Sequence, residues 1–308
     1  MILTLTLNPA IDLTIQTDRV NYDDRSPVLE EKEYPGGKGI NAAQVIHSYG
    51  GQVHAVATRG GRRGRCMAEL LEASTLPVTL IPVEGETRRN FAISDEQGLT
   101  IKLDHAGCPL RPAELDRVEQ TICRKLPQAR WLMLTGSMPP ETPPDFFARL
   151  IRAARAQDVS TLLDTGGDAF RLGLREGPTV AKPNRPEAER LLGRSLFSQP
   201  HSAAAASEIQ RMGAGHVILS LGSQGAIAAW DGGLLRAVPP AVQSGCSIGA
   251  GDVLGATCVW SLSRDAEFPE ALSWAVAAAT VAASRPGLNF APLSEVEEMR
   301  KLVEIRPI

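Results

Sequence analysis

Short apolar runs alternate along this chain with longer stretches of amphipathic character. Met1–Leu7, Val53–Ala57, Trp131–Thr135, Ser160–Leu163 and His216–Leu219 predict buried strands. Ile40–Tyr49 has helical length and is closed by Gly50-Gly51, a glycine stop. Another helix is predicted from Thr142-Pro143, where a hydroxyl cap precedes proline at the first helical position. Strands alternating with helices in this way predict an α/β fold, a mostly parallel sheet sandwiched by helices.

Two regions break the rule. Ile11–Thr17 and Val28–Tyr34 alternate apolar and polar residues, and so do Asn90–Ser94 and Leu99–Leu103 across a turn at Asp95–Gly98. They predict a small antiparallel sheet inserted in two pieces, about 11–34 and 88–104, into one α/β domain spanning 1–308. A sheet that cannot bury both faces itself belongs over the carboxyl ends of the parallel strands, as a lid on the place where such folds bind ligands.

Composition narrows the function. The 308 residues are 43% hydrophobic and 22% charged, which is globular usage. Lys+Arg 32 against Asp+Glu 35 gives a net charge of −3 without a basic run, which argues against nucleic acid as partner. The longest apolar helix candidate, Ala271–Ala283, is short and holds Ser273 and Thr280, so no membrane span is expected. Met1–Leu7 has no basic n-region, so no signal peptide is expected either. The cysteines (Cys66, Cys108, Cys123, Cys246, Cys258) are odd in number and form no C-x-x-C pair, which suits a reducing cytoplasm. The histidines show no H-x-x-x-H spacing that would suggest zinc.

Four segments have the chemistry of a phosphate and sugar site. Gly36-Gly37-Lys38-Gly39-Ile40-Asn41 opens a helix, and its amides can face a ligand beside the Lys38 charge and the Asn41 amide; a plain turn has the same composition. In Glu86-Thr87-Arg88-Arg89-Asn90, period two sets Arg88 and Asn90 on one face and Arg89 on the other. Arg88 is thus either an anion clamp under the lid or a solvated edge residue. In Lys182-Pro183-Asn184-Arg185-Pro186-Glu187, Asn184 and Glu187 form a capping-box pair, which needs no function, and the same pair could hold the water shell of Mg²⁺. Ser247-Ile248-Gly249-Ala250-Gly251-Asp252 opens a helix running to about Ser263. Its amides carry about +0.5 of dipole charge and form an anion hole. Asp252 there is either a cap or a general base that deprotonates a hydroxyl attacking a phosphoryl group.

Competing motifs fail. The chain has no G-x-x-x-x-G-K-[ST] and no G-x-S-x-G, and Leu254 stands where a dinucleotide fingerprint needs its third small residue.

In order and spacing these segments resemble the ribokinase-like carbohydrate kinases, in their phosphofructokinase-B branch. The resemblance also takes in Thr6-Leu7-Asn8-Pro9-Ala10-Ile11-Asp12, Gly136-Ser137-Met138-Pro139-Pro140, Leu163-Asp164-Thr165 and Ser220-Leu221-Gly222-Ser223-Gln224-Gly225-Ala226. It implies transfer of the γ-phosphoryl of ATP, with Mg²⁺, to a sugar hydroxyl. It further implies Asp252 as base, Gly249, Ala250 and Gly251 as anion hole, and Asp12, Gly36, Gly37 and Asn41 as the grip on sugar hydroxyls. Lys182, Asn184, Glu187, Ser220, Gly222 and Gly225 fall on the nucleotide side. A monovalent cation, which some relatives bind, is left open because Arg285-Pro286-Gly287 departs from the usual pattern. Val253 replaces the usual serine after the base.

Arg88 and Lys38 are two cations on the sugar side, which a sugar phosphate requires and a neutral sugar does not. The expected acceptors are therefore fructose 1-phosphate, tagatose 6-phosphate or fructose 6-phosphate, and Lys38 resembles the first two. A kinase for an unphosphorylated sugar or nucleoside, and a sensor that binds without turnover, are the competing readings. A homodimer through the lid is expected, with Ile11, Leu13 and Ile15 either at the interface or packed inward.

Overall fold

The computed structural model describes residues 1–21, 23–242, 249–285 and 290–308. The chain first forms β1 (Ile2–Thr6), β2 (Ala10–Thr17), β3 (Val28–Gly36), α1 (Lys38–Ser48), β4 (Val53–Arg59), α2 (Gly61–Ala73), β5 (Val78–Pro82), β6 (Arg88–Asp95) and β7 (Thr100–Asp104). It continues through α3 (Pro112–Lys125), β8 (Trp131–Thr135), α4 (Phe146–Arg155), β9 (Ser160–Asp164), α5 (Gly167–Leu174), β10 (Val180–Ala181), α6 (Arg185–Leu192), α7 (Gln199–Arg211) and β11 (His216–Ser220). Then come β12 (Ala226–Trp230), β13 (Gly233–Val238), α8 (Ala250–Leu262), α9 (Phe268–Ala283), α10 (Leu293–Arg300) and β14 (Glu304–Pro307).

Ten strands make one sheet in the order β14-β13-β12-β11-β10-β9-β8-β1-β4-β5. Every neighbouring pair from β11 to β5 is parallel, and β12, β13 and β14 extend it antiparallel. The apolar strands are explained by two cores, one on each face. Met133 and Ile218 face the core shared with α1, α8 and α9, while their neighbours Leu132, Leu134, Val217 and Leu219 face the core under α3, α4 and α7. Alternate side chains thus serve opposite faces and both must be apolar. α8 and α9 pack on each other and are buried along most of their length, so they too are apolar nearly all round. No helix among the described residues is long and apolar enough to cross a membrane.

Two expectations are corrected, and one open alternative is decided. The helix expected from Thr142-Pro143 begins at Phe146. Thr142 and Pro143 each precede a proline, which disfavours helical backbone, and the Thr142 hydroxyl instead donates to Pro139 O at 2.8 Å. The small sheet, ordered β3-β2-β6-β7, is mixed rather than antiparallel. β2 pairs with β3, and β6 with β7, antiparallel, but β2 and β6 run parallel. Each follows a parallel strand of the large sheet, β1 and β5, so both enter the lid in the same direction. Of the two alternatives for Ile11 and Leu13, both side chains pack inward; among the described residues the exposed large apolar side chains of the lid are Val28, Leu29, Leu99 and Leu103.

Candidate active site

A cavity of about 390 Å³ lies between the small sheet and the carboxyl ends of β1, β8 and β9. Asp12, Gly37, Lys38, Asn41, Arg88, Asn90, Glu187, Gly249 and Asp252, from five separate stretches of sequence, all border it. Gly36, Ala250, Gly251, Lys182, Asn184, Ser220, Gly222 and Gly225 do not line it.

At the lid end, the register of β2 and β6 sets Asp12 opposite Asn90, whose Nδ2 donates to Asp12 Oδ1 at 2.8 Å. Burial pushes the Asp12 carboxyl up to about 6, against the Asn90 hydrogen bond and the Arg88 charge. A Cβ at Gly36 would collide with the Asp12 carboxylate, so glycine there leaves that side chain in its place. Gly37 has φ +116, and a Cβ would meet Thr6 Cγ2 at 2.5 Å. Arg88 is held by two carbonyls: its Nε donates to Asn8 O at 3.1 Å and its Nη1 to His105 O at 2.8 Å. Asn8 Nδ2 in turn donates to Ala106 O at 2.9 Å and Ser137 Oγ at 3.2 Å, which ties the end of β1 to the strap after β7. Arg89 points to the other face and pairs with Glu33 at 2.6 Å, as the period-two pattern requires.

At the opposite wall, Gly249, which has φ 75, caps α8, and Asp252 stands in the first turn of that helix. Asp252 borders the cavity and is not a side-chain cap; its Oδ2 accepts from Asn41 Nδ2 at 2.9 Å. Burial raises the Asp252 carboxyl above its ordinary range; Lys38 opposes the shift and Asp164 adds to it. Ser247 and Ile248, the start of this motif, lie outside the described residues, as do Pro286 and Gly287.

The Lys182–Glu187 motif forms a complete capping box on α6. Glu187 N donates to Asn184 Oδ1 at 2.9 Å, and Asn184 N to Glu187 Oε2 at 2.8 Å. Ser220 meets Asn184 in a single bridge, and Ser220 N donates to Pro183 O at 3.0 Å, so the 220–225 turn sits beside the box. The buried Arg236 guanidinium donates to Gln224 O and, at 2.9 Å, to Ala226 O and Ala237 O, which fixes that turn from below. No cluster of three or more His, Cys, Asp or Glu side chains that could cage a metal occurs among the described residues. The oxygens on offer are hard donors, and one Glu187 oxygen is already taken by the box. That donor set suits Mg²⁺ kept hydrated and brought in with phosphates, rather than an all-protein cage.

Lys38 borders the cavity together with Asp12 and Arg88, and carboxylates hold its ammonium. Its Nζ is not directed at the lid end but lies 2.9 Å from Asp164 Oδ1 and 3.9 Å from Glu187 Oε1. Asp164, fully buried at the end of β9, takes Lys182 Nζ on its other oxygen at 2.9 Å. Burial alone would raise the Asp164 carboxyl, but Lys182 and Lys38 hold it below the usual range. Asp164 was visible in sequence only as part of a motif, with no role. Asn8 was visible in the same way, inside the Thr6–Asp12 motif and with no role, and Arg236 carried no signal, since it acts through backbone carbonyls that no residue pattern reports.

The pattern of the pfkB family carbohydrate kinases matches residues 5–295. A 1-phosphofructokinase of Vibrio cholerae is 27% identical over 304 residues, covering 99% of this chain and 96% of that protein. An ATP-dependent 6-phosphofructokinase isozyme 2 of Escherichia coli is 30% identical over 305 residues, covering 97% of each chain. Among solved structures, phosphofructokinase-2 from Escherichia coli in complex with potassium superposes with a TM-score of 0.91 at 29% identity, over 97% of this chain and 98% of that one.

Proposed function

The chain belongs to the pfkB family of carbohydrate kinases, and from that premise we propose that it transfers the γ-phosphoryl of ATP to a hydroxyl of a sugar phosphate, giving a sugar bisphosphate. The observation that carries this reading is the Arg88 guanidinium, fixed by two backbone carbonyls beside Asp12 and Asn90 at the lid end of the cavity. A cation held there suits an acceptor that already bears phosphate. Relatives named for fructose phosphates support the same class, with fructose 1-phosphate or tagatose 6-phosphate first and fructose 6-phosphate as the alternative.

Asp252 takes the proton of the acceptor hydroxyl as that oxygen bonds to the γ-phosphorus. The bond to the bridging β–γ oxygen breaks and ADP leaves with that electron pair. Asn41 holds the carboxylate in place, and the amides of Gly249, Ala250 and Gly251 stabilise the phosphoryl charge. Asp12 and Asn90, with Gly36 and Gly37 leaving room, orient the sugar hydroxyls. Lys182, Asn184, Glu187, Ser220, Gly222 and Gly225 serve the nucleotide. Asn184 and Glu187 would hold Mg²⁺ through water, and the bound ion would neutralise phosphate charge. A monovalent cation is a further proposal, supported by the potassium complex of the Escherichia coli enzyme. The four described cysteines are free, and together with ATP as donor this supports a cytoplasmic enzyme.

ATP-dependent turnover of the three sugar phosphates, fructose and a nucleoside, compared side by side from pH 5 to 8, tests the reading. We expect kcat/KM for one sugar phosphate to exceed that of every unphosphorylated acceptor. Preference for a neutral sugar or nucleoside would replace the proposed acceptor, and binding without turnover would point to a sensor. Asp12 must be ionised to accept from two hydroxyls, and its carboxyl titrates near 6. Acceptor KM should therefore be flat above pH 7 and rise about tenfold per pH unit well below 6. A KM flat down to pH 5 would remove Asp12 from that role.

A second copy of the chain is the proposed partner at the lid, where Val28, Leu29, Leu99 and Leu103 expose apolar surface. Sedimentation should show a dimer that Val28→Asp/Leu29→Asp dissociates; a wild-type monomer at micromolar concentration excludes it.

A further inference from the structure

Lys38 and Arg88 look alike in the sequence, as two cations near a sugar. The fold separates them. Arg88 belongs to the lid, on Asn8 O and His105 O. Lys38 leaves the first residue of α1 and reaches the end of β9, where Asp164 takes its ammonium on one oxygen and that of Lys182 on the other, each at 2.9 Å. The carboxylate is almost fully buried, as is Lys182, whereas the Lys38 side chain is one-third exposed and borders the cavity.

The third member reaches the anion hole from below. The Lys182 stem lies against α8, so that a Cβ on Gly255 would come 3.3 Å from Lys182 Cε, and one on Gly251 would come 3.8 Å from its Nζ. The triad therefore spans from the start of α8, beside Asp252, to Glu187 of the nucleotide motif, 3.9 Å from Lys38 Nζ.

Two ammonium groups share one buried carboxylate, and on the cavity side Lys38 also feels the charges of Glu187 and Asp252. Two lysines this close repel and are costly to bury, and a carboxylate with two separate oxygens can satisfy both at once. The arrangement presents the Lys38 ammonium to the cavity. It is suited to a negative group that arrives at the mouth of the anion hole, and Lys38, with three N–H donors, has donors to spare beyond the one given to Asp164.

We propose that Lys38 acts on the phosphoryl group in transit rather than on the acceptor's own phosphate, and that Asp164 is the positioning residue that holds Lys38 and Lys182 for that task. The proposal rests on the phosphotransfer reading above. It divides the two cations: Arg88 selects the acceptor and Lys38 serves the chemical step.

The test is a kcat against binding split. Lys38→Met, Lys38→Arg, Asp164→Asn and the double variant Lys38→Met/Asp164→Asn are assayed with ATP and each sugar phosphate, and sugar-phosphate affinity is measured by calorimetry without ATP. Lys38→Met should lower kcat by about 10²–10³, the usual loss on removing one donor to a developing charge, with sugar-phosphate affinity changed less than threefold. Lys38→Arg should recover part of the loss. Removing Lys38 should cost at least tenfold less in the Asp164→Asn background than in the wild-type protein, because the two act as a unit. A Lys38→Met variant that keeps its kcat and loses tenfold or more in sugar-phosphate affinity overturns the assignment, as does fully additive loss in the double variant. Should Asp164→Asn fail to fold, the Lys38→Met split decides. If the wild-type enzyme prefers an unphosphorylated sugar, the acceptor reading fails by itself, and the kcat loss of Lys38→Met on that sugar still decides the role of the lysine.

Discussion

Asp252→Asn lowers kcat by about 10²–10⁴ while ATP and acceptor still bind, the range expected when a general base is removed from a positioned site. The substitution is nearly isosteric. Asn41 Nδ2 donates to Asp252 Oδ2 at 2.9 Å, and an asparagine at 252 offers an oxygen to the same donor, so the helix start and the wall of the cavity are retained. What disappears is the ability to accept a proton. Stability should hold or rise, because burial and the nearby Asp164 both oppose the Asp252 charge. With the folded-state pKa raised, the unfolded chain ionises first, so this group detracts from stability increasingly as pH rises through its titration range. Removing it is therefore no loss to folding at neutral pH. Single-turnover assays with thermal melts check both halves. Unchanged turnover removes Asp252 from the chemistry, and a large fall in melting temperature makes it a structural residue.

Arg88→Ala raises KM for the sugar phosphate by about ten- to 150-fold, taking roughly 1.5–3 kcal/mol for a hydrogen bond between charged groups. KM for the matching unphosphorylated sugar changes less than about threefold. The guanidinium has a structural duty as well, since Nε and Nη1 are spent on Asn8 O and His105 O. Comparing two acceptors in one variant cancels that duty, because a distorted lid harms both equally. Lysine at 88 should not restore binding, as one ammonium cannot keep both carbonyls and still present a fork. Equal losses on both acceptors would remove the phosphate clamp and leave Arg88 as a brace of the lid.

The sequence by itself determined the alternation of strands and helices and named many of the residues that border the cavity. Period two in Glu86–Asn90 put Arg88 and Asn90 on one face and Arg89 on the other, and the structure agrees; Asp12, named through the resemblance, pairs with Asn90 in the register of β2 against β6. Capping chemistry did the same for Asn184 and Glu187, whose box is local and needs no partner from elsewhere. Such features are legible because they depend on residues close in sequence.

Direction and pairing were not legible in the same way. Alternation describes one strand, whereas the parallel run of β2 and β6 is set by where each leaves the large sheet. The burial of Ile11 and Leu13 likewise depends on what the lid rests upon. Lys38 is the clearest case. Its position in a glycine-rich turn suggested a sugar contact, yet its partner, Asp164, is 126 residues away. A lysine has a long, flexible stem, and its ammonium goes to the charge that best offsets its desolvation. Only the packing of α1 against α8, β1 and β8 determines which charge that is.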